Sequence, residues 1–221
     1  MTSRTPAIST DITNLFATRN THAVEVAILQ PADPFLDMAG EDLRRRIFLT
    51  ESETGQTLCL RPEFTIPVCL DHISSQAGTP RRYSYLGEVF RQRREGGNEF
   101  FQAGIEDLGD RDTAGADARS VADAHALLSL VLPGQALAIT LSASAGRAPS
   151  DIARRLIEKA ELRSVRLSSE AFSALKDFLA IDVPLNSAAQ ALETFATGAG
   201  LSLDVALEKF AARAKAIEAH G

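Results

Sequence analysis

Five polar side chains have the chemistry to bind a small charged molecule. They are Arg91, Gln102 and Glu106 on two neighbouring segments, and Glu63 and Thr65 earlier in the chain. A guanidinium group can form paired hydrogen bonds with a phosphate or a carboxylate. A glutamine and a glutamate that share one face of a strand can receive and orient an ammonium group. These residue types therefore favour a binding site for an amino acid or an anion.

The stretch from Arg81 to Gly109 predicts the antiparallel hairpin that positions the first three of these residues. Polar and apolar residues alternate in both halves, so that Arg91 shares a face with Tyr83 and Tyr85. Residues 93–98 between the halves are charged and rich in glycine, which predicts a flexible turn suited to closing over an anion. A hairpin whose polar face simply meets solvent has the same alternation and remains an alternative.

A second hairpin is predicted before the first, with strands at 47–50 and 57–60 and a turn in which Gly55 has a positive φ. Pro62 cannot donate a ladder hydrogen bond, so the chain is expected to leave the sheet directly after the second strand. Glu63 then lies at this exit, where it either caps the following helix or contacts a ligand.

The remaining patterns predict an α+β fold in which an antiparallel β-sheet is flanked by helices and followed by a small helical module. We expect a sheet domain at 1–141, a small polar linker or trimmed loop at 142–150 and a helical module without strands at 151–221. Further predicted elements are a helix near Ile12, strands at 24–29 and 136–141, and helices at 115–132, 152–162, 172–179, 188–195 and 205–217.

Composition narrows the class of protein. The chain of 221 residues is 45% hydrophobic, which is enough for a packed core, and its formal net charge is −6, which makes nucleic-acid binding an unfavoured role. Cys59 and Cys69 are expected to be reduced thiols, and no apolar run is long enough to span a membrane. We therefore predict a cytoplasmic protein. The four histidines lack metal-ligand spacing, so neither a metal nor a cofactor is expected.

Two segments resemble motifs of the class II aminoacyl-tRNA synthetases, in the form found in histidyl-tRNA synthetases and their relatives. Phe90-Arg91, followed by a loop and by Phe101-Gln102-x-Gly104-x-Glu106, resembles motif 2 of that family. The segment 60–65, Leu-Arg-Pro-Glu-Phe-Thr, resembles its LRPE-x-T segment. The resemblance covers roughly residues 1–140, and it is greatest to the catalytically silent branch, the regulatory subunits of ATP phosphoribosyltransferase.

The resemblance implies a fold and a set of partners. The fold is an incomplete class II catalytic domain followed by a helical insertion, with a dimer interface that includes Pro31. The implied histidine-like pocket consists of Glu63, Thr65, Arg91, Gln102 and Glu106, with no catalytic residue. The implied partners are a second copy of the chain, the short catalytic subunit of ATP phosphoribosyltransferase in a hetero-oligomer, and histidine as a small-molecule ligand.

The sequence also departs from a working synthetase. Arg93 stands where motif 2 usually has an acidic residue, and the loop lacks the family's Gly-Arg-x-Arg run. Neither the RGLDYY-type segment nor motif 3 occurs up to Gly221, so the nucleotide site implied by the family is incomplete. The unusual composition of residues 142–150 fits an internal deletion.

Three functions follow as hypotheses. The first is a non-catalytic regulatory subunit of ATP phosphoribosyltransferase, acting in the first step of histidine biosynthesis through activation and histidine feedback. The second is the amino-terminal part of a histidyl-tRNA synthetase, which would activate histidine and charge tRNA. The third is an amino-acid sensor with another partner. The loss of the acidic residue at Arg93 favours the first hypothesis over the second.

Overall fold

The computed structural model describes residues 7–144, 147–148, 151–152, 154–156 and 168–220. Its named helices are α1 Ser9–Thr18, α2 Asp33–Met38, α3 Glu41–Arg44, α4 Thr65–Ser74, α5 Thr113–Val131, α6 Ser169–Leu179, α7 Leu185–Gly198 and α8 Asp204–His220. Its strands are β1 His22–Ala23, β2 Leu29–Pro31, β3 Leu49–Glu51, β4 Thr57–Leu60, β5 Arg81–Phe90, β6 Glu99–Leu108, β7 Thr140–Ser142 and β8 Asp182–Pro184. This is the α+β arrangement that the sequence predicts.

The residues form two compact units. One unit comprises residues 1–111 and 126–133, and the other comprises residues 112–125 and 134–221. The boundaries predicted from the sequence, with a sheet domain at 1–141 and a helical module at 151–221, stay predictions.

The long hairpin β5–β6 is the centre of the first unit. Ten residues of each strand pair antiparallel, and β1 adds a short parallel edge to β5. The register places Tyr83 opposite Glu106 and Tyr85 opposite Gly104. Because side chains opposite each other in an antiparallel pair share one face, the predicted polar face of this hairpin is confirmed.

Gly104 is required by the close approach of Tyr85. A Cβ atom added to Gly104 would lie 2.6 Å from Cζ of the tyrosine ring and would also collide with its hydroxyl oxygen. A side chain at position 104 is therefore incompatible with this position of the Tyr85 ring, because packed carbon atoms prefer separations near 3.5–4.0 Å. The absence of a side chain at Gly104 therefore gives Tyr85 its position over β6.

A small core lies between this sheet and helix α4. Phe64 and Val68 from the helix end are buried against Tyr83, Tyr85 and Val89 of β5. The rings of Phe64 and Tyr85 are stacked, with centroids 4.5 Å apart and planes 5° from parallel. This stack fixes the start of α4 relative to the face of the hairpin.

Arg61 is a buried structural cation rather than a surface charge. Its side chain is 5% exposed; Nε and Nη2 donate to the carbonyl of Glu88, and Nη1 donates to the carbonyl of Val26. The guanidinium also lies 4.1 Å above the ring of Phe64. Burial lowers the pKa of Arg61, while Glu88 opposes this shift. Arg61 thereby joins the segment before β2, the strand β5 and the start of α4.

The second sheet of this unit has the order β2-β4-β3, and both pairings are antiparallel. The predicted hairpin β3–β4 is confirmed, with Gly55 at φ +80° in its turn. Ala32, Phe35, Ile47 and Cys59 are buried together beside it, and burial raises the pKa of the Cys59 thiol to about 11.

The strand predicted at 24–29 is wrong. The structure instead has the short strands β1 and β2 with a non-strand connection between them. In this connection the side chain of Arg61 binds the carbonyl of Val26, whereas the backbone N–H of Arg61 binds the carbonyl of Ile28 and continues the pairing of Leu29 with Leu60 by one residue. The carbonyl of Val26 therefore has a side-chain partner rather than a ladder partner.

The second unit contains helices α6, α7 and α8, as predicted, and a short ribbon in which β7 pairs antiparallel with β8. The expectation of no strand beyond residue 150 is wrong, because β8 covers Asp182–Pro184. The strand predicted at 136–141 is observed only at Thr140–Ser142. The helix predicted at 152–162 lies partly outside the described residues.

The described residues lack two features, a membrane-spanning helix and a metal-binding cluster. None of the helices there is both long and apolar enough to cross a membrane. No group of three or more histidine, cysteine, aspartate or glutamate side chains is arranged there to hold a metal ion.

Candidate functional site

Thr65, at the first position of helix α4, connects two carboxylates. Its backbone N–H donates to Oε2 of Glu63 at 2.6 Å, and its hydroxyl donates to Oε1 of Glu106 at 2.8 Å. Glu63 comes from the segment that leaves β4, whereas Glu106 lies on β6. The fold therefore brings both predicted acidic residues around one small polar residue.

Glu63 caps helix α4. Its Oε1 accepts from the backbone N–H of Ile66 at 2.9 Å, in addition to the bond from Thr65. The first N–H groups of a helix have no intrahelical partner, and a carboxylate there also favours the positive end of the helix dipole. Glu63 is 8% exposed, so these two bonds satisfy a buried charge. The capping role that the sequence left open is observed, and a ligand contact stays a prediction.

A stability prediction follows from the cap. Changing Glu63 to alanine should lower the free energy of unfolding by about 1–2 kcal/mol, because two N–H groups of α4 lose their acceptor. Changing it to glutamine should cost less, because one amide oxygen remains to accept. Urea denaturation followed by far-UV circular dichroism measures both. Equal stability of the alanine variant and the unaltered chain would contradict the capping role.

Tyr85 and Gln102 extend the network on the face of the hairpin. The Tyr85 hydroxyl donates to Oε1 of Glu106 at 3.1 Å and accepts from Nε2 of Gln102 at 3.4 Å. Burial, and next the charge of Glu106, raise the pKa of the Tyr85 hydroxyl. Oε1 of Gln102 is buried and has no hydrogen-bond partner within the described part of the chain.

This unpaired oxygen matters because buried polar atoms are rarely left without a partner. An acceptor on Gln102, beside the carboxylate of Glu106, matches a ligand that brings N–H donors. An ammonium or imidazole group has such donors. The arrangement can therefore receive a positively charged or donor-rich molecule by hydrogen bonding.

Arg91 lies beside this network. Its Nε donates to the carbonyl of Pro62 at 2.7 Å, and its guanidinium lies 5.4 Å from the ring centre of Phe100. Burial lowers the pKa of Arg91, and the charge of Glu63 raises it. The bond to Pro62 therefore holds the Arg91 side chain at the residue that directly precedes Glu63 in the chain. Binding of an anion by Arg91 stays a prediction.

Sequence reasoning missed two members of this site. Tyr85 was assigned to the correct face, but its contact with both Glu106 and Gln102 depends on the register between two strands. Cys69 lies one turn into α4, where burial, then Glu106 and Glu63, raise the pKa of its thiol. The spacing of Thr65 and Cys69, four residues apart on a helix, was the available signal that both lie on the same side of α4.

Comparison with known proteins gives consistent results. The family model described as Histidyl-tRNA synthetase matches residues 2–220. A protein of Mesorhizobium japonicum named ATP phosphoribosyltransferase regulatory subunit is 67% identical over 299 residues, covering 100% of this chain and 80% of the relative. A protein of Chelativorans sp. with the same name is 49% identical over 298 residues, with the same coverage of both chains.

Solved structures share the fold. A Bacillus halodurans structure described as an ATP phosphoribosyltransferase regulatory subunit/histidyl-tRNA synthetase superimposes with a TM-score of 0.71 at 23% identity, over 97% of this chain. A histidyl-tRNA synthetase of Nostoc sp. superimposes with a TM-score of 0.70 at 14% identity, over 100% of this chain. This chain spans 60% and 59% of the length of these two proteins. The expected class II synthetase-like fold is confirmed.

The alignment also reveals a difference in length inside the matched region. The stretch aligned with the Mesorhizobium protein is 299 residues long, which is 78 more than the 221 residues of this chain. The relative therefore has residues within the aligned stretch that this chain lacks. The placement of an internal deletion at 142–150 stays a prediction.

Proposed function

We propose a regulatory role for this chain because it belongs to the histidyl-tRNA synthetase family and, within that family, to the ATP phosphoribosyltransferase regulatory subunits. The observation that carries the proposal is 67% identity over the whole chain to a protein of that name. In this function the chain is non-catalytic, and the transfer reaction of the first step of histidine biosynthesis takes place in a short catalytic partner subunit.

Histidine is the proposed ligand of the network around Glu106. The ammonium group would bind between the carboxylates of Glu63 and Glu106, and the unpaired oxygen of Gln102 would accept a further N–H. Arg91 would lie near the carboxylate end of the ligand, where a guanidinium is the matching group. The proposal is supported by the convergence of these side chains on the start of α4 and one face of β6.

Regulation by this chain would be a shift in the partner's conformational equilibrium. A bound molecule shifts such an equilibrium only by its difference in affinity for the two states. Histidine would therefore bind more tightly to the inhibited complex than to the active one, and by reciprocity the inhibited partner would raise the histidine affinity of this chain. The homodimer and the cytoplasmic location expected from the sequence belong to this proposal.

A reconstitution experiment tests the proposal. A short catalytic subunit from a related organism should bind this chain in a pull-down, and its formation of product from ATP and phosphoribosyl pyrophosphate should rise at least several-fold when the chain is added. Histidine should then reduce the rate. Unchanged activity of the catalytic subunit with and without the chain would refute the regulatory function.

A second assay separates the synthetase function. Incubation of this chain with histidine, ATP and labelled pyrophosphate should produce no exchange of label into ATP. Arg93, in place of the acidic residue usual in motif 2, is the sequence reason for this expectation. Exchange above the level of a no-protein control would favour a histidine-activating enzyme instead.

A further inference from the structure

The hydroxyl of Tyr85 lies between two side chains of β6, those of Gln102 and Glu106. It donates to Oε1 of Glu106 at 3.1 Å and accepts from Nε2 of Gln102 at 3.4 Å. A tyrosine hydroxyl has one proton to donate, and its oxygen can also accept. Because a carboxylate can only accept, that proton is directed to Glu106. Toward Gln102 the hydroxyl can therefore act only as an acceptor.

This direction of the proton fixes the orientation of the Gln102 amide. An amide has a donor end and an acceptor end, and the torsion that exchanges the two ends is soft. With the NH2 group toward Tyr85, Oε1 is the free end of the amide, and it is buried without a hydrogen-bond partner in the described part of the chain. The reverse orientation would set two oxygens against each other with no proton between them. Tyr85 thus makes Gln102 present an acceptor.

Glu106 is oriented by the same hydroxyl. Thr65 also donates to Oε1 of Glu106, at 2.8 Å, so that both internal hydrogen bonds end on one carboxylate oxygen. Neither bond uses Oε2, which is therefore the oxygen that Glu106 can offer to a ligand. Gln102 and Glu106 together offer one free acceptor each.

Packing holds the Tyr85 hydroxyl in place. The residue is 6% exposed, and its ring is stacked on that of Phe64. On the strand side, the ring approaches Gly104 so closely that an added Cβ atom would collide with it. Groups that are already fixed lose little conformational entropy when a ligand binds. The choice between donors and acceptors is thus made before any ligand arrives.

We propose that Tyr85 is a specificity-determining residue of the histidine site, which makes the site select ligands with N–H donors over ligands of the same shape that lack them. This inference rests on the proposed function, because histidine is the ligand. An analogue without the N–H leaves a buried acceptor unpaired, which costs more than the hydrogen bond itself contributes. Without the Tyr85 hydroxyl, the Gln102 amide can turn and donate, so that this penalty decreases. Tyr85 acts through Gln102 and Glu106 and is therefore a positioning residue.

The test is the substitution Tyr85→Phe, which removes the hydroxyl and keeps the stacked ring. Histidine and two analogues are titrated into the full chain by calorimetry. β-(4-Thiazolyl)alanine lacks the ring N–H, and imidazolelactate has a hydroxyl in place of the ammonium group. Whichever N–H Gln102 accepts, one of the two analogues therefore lacks it. The preference for histidine over that analogue should fall about tenfold in Tyr85→Phe, which corresponds to one hydrogen bond.

Tyr83→Phe is the matched control. Tyr83 lies on the same strand and is also 6% exposed, but its hydroxyl bonds with Nδ1 of His72 at 2.9 Å. Its substitution should change the preference less than about twofold, because a loss of packing or stability alone does not alter selectivity. Unchanged preferences in Tyr85→Phe, or an equal change in both variants, would overturn the proposal.

A second measurement needs no ligand. The side-chain amide protons of Gln102 are identified in NMR spectra by their absence from Gln102→Ala. They should exchange with solvent several-fold faster in Tyr85→Phe than in the unaltered chain, because their acceptor is gone. Unchanged exchange would overturn the role of Tyr85. Faster exchange in a chain that binds no histidine would refute the proposed ligand and still support the positioning of Gln102 by Tyr85.

Discussion

Changing Glu106 to glutamine should weaken histidine binding by about two orders of magnitude, since a hydrogen bond to a charged group contributes up to ~3 kcal/mol. The substitution keeps the shape of the side chain and one oxygen acceptor for Thr65 and Tyr85. It removes the negative charge that would pair with the ligand's ammonium group. Calorimetric titration of histidine into the full chain measures the effect.

The control for this experiment is Glu53→Gln, an exposed carboxylate in the turn between β3 and β4. It removes the same charge from the same unit and should leave the histidine affinity unchanged. If Glu106→Gln binds histidine as tightly as the control does, Glu106 is not part of the binding site. If the unaltered chain gives no binding, the pocket proposal itself is wrong for this chain.

Changing Phe64 to alanine should lower the free energy of unfolding by about 3–5 kcal/mol, the usual cost of removing a buried aromatic ring. Phe64 is 2% exposed and lies between the ring of Tyr85 and the guanidinium of Arg61. Its loss removes the stack, leaves a cavity and takes away the cation–π partner of a buried charge. Urea denaturation of the full chain gives the size of the change.

Ile73→Ala is the comparison for Phe64→Ala, because Ile73 lies on the same helix α4 and is 69% exposed. Its substitution should cost less than about 1 kcal/mol, as expected for a surface position. Similar losses for the two variants would mean that the Phe64–Tyr85 stack contributes little to stability. Phe64→Leu should retain part of the packing and fall between them.

The hairpin β5–β6 was predictable because its signal is local. Alternation over ten residues in each strand and a glycine-containing turn define both the strands and their faces without knowledge of other contacts. The same holds for Gly55, whose place in a short turn predicts its positive φ. Gln102 and Glu106 were assigned to the correct face for the same reason, whereas Arg91, which was predicted on the strand, lies one residue beyond the end of β5.

Features that depend on contacts distant in sequence were not predictable. Nothing in residues 24–29 indicates that the carbonyl of Val26, in the connection between β1 and β2, binds the side chain of Arg61. Strand β8 has three residues, too few for an alternating pattern, and forms through its pairing with β7. The link between Thr65 and Glu106 likewise spans 41 positions of the chain.

The close packing of Gly104 against Tyr85 means that the two positions share one volume. A larger residue at 104 can be accommodated only if the aromatic ring at 85 is exchanged for a smaller side chain. The two positions must therefore change together during evolution. A protein engineer who wishes to admit a bulkier ligand would begin by replacing Tyr85 with a smaller residue and Gly104 with a larger one.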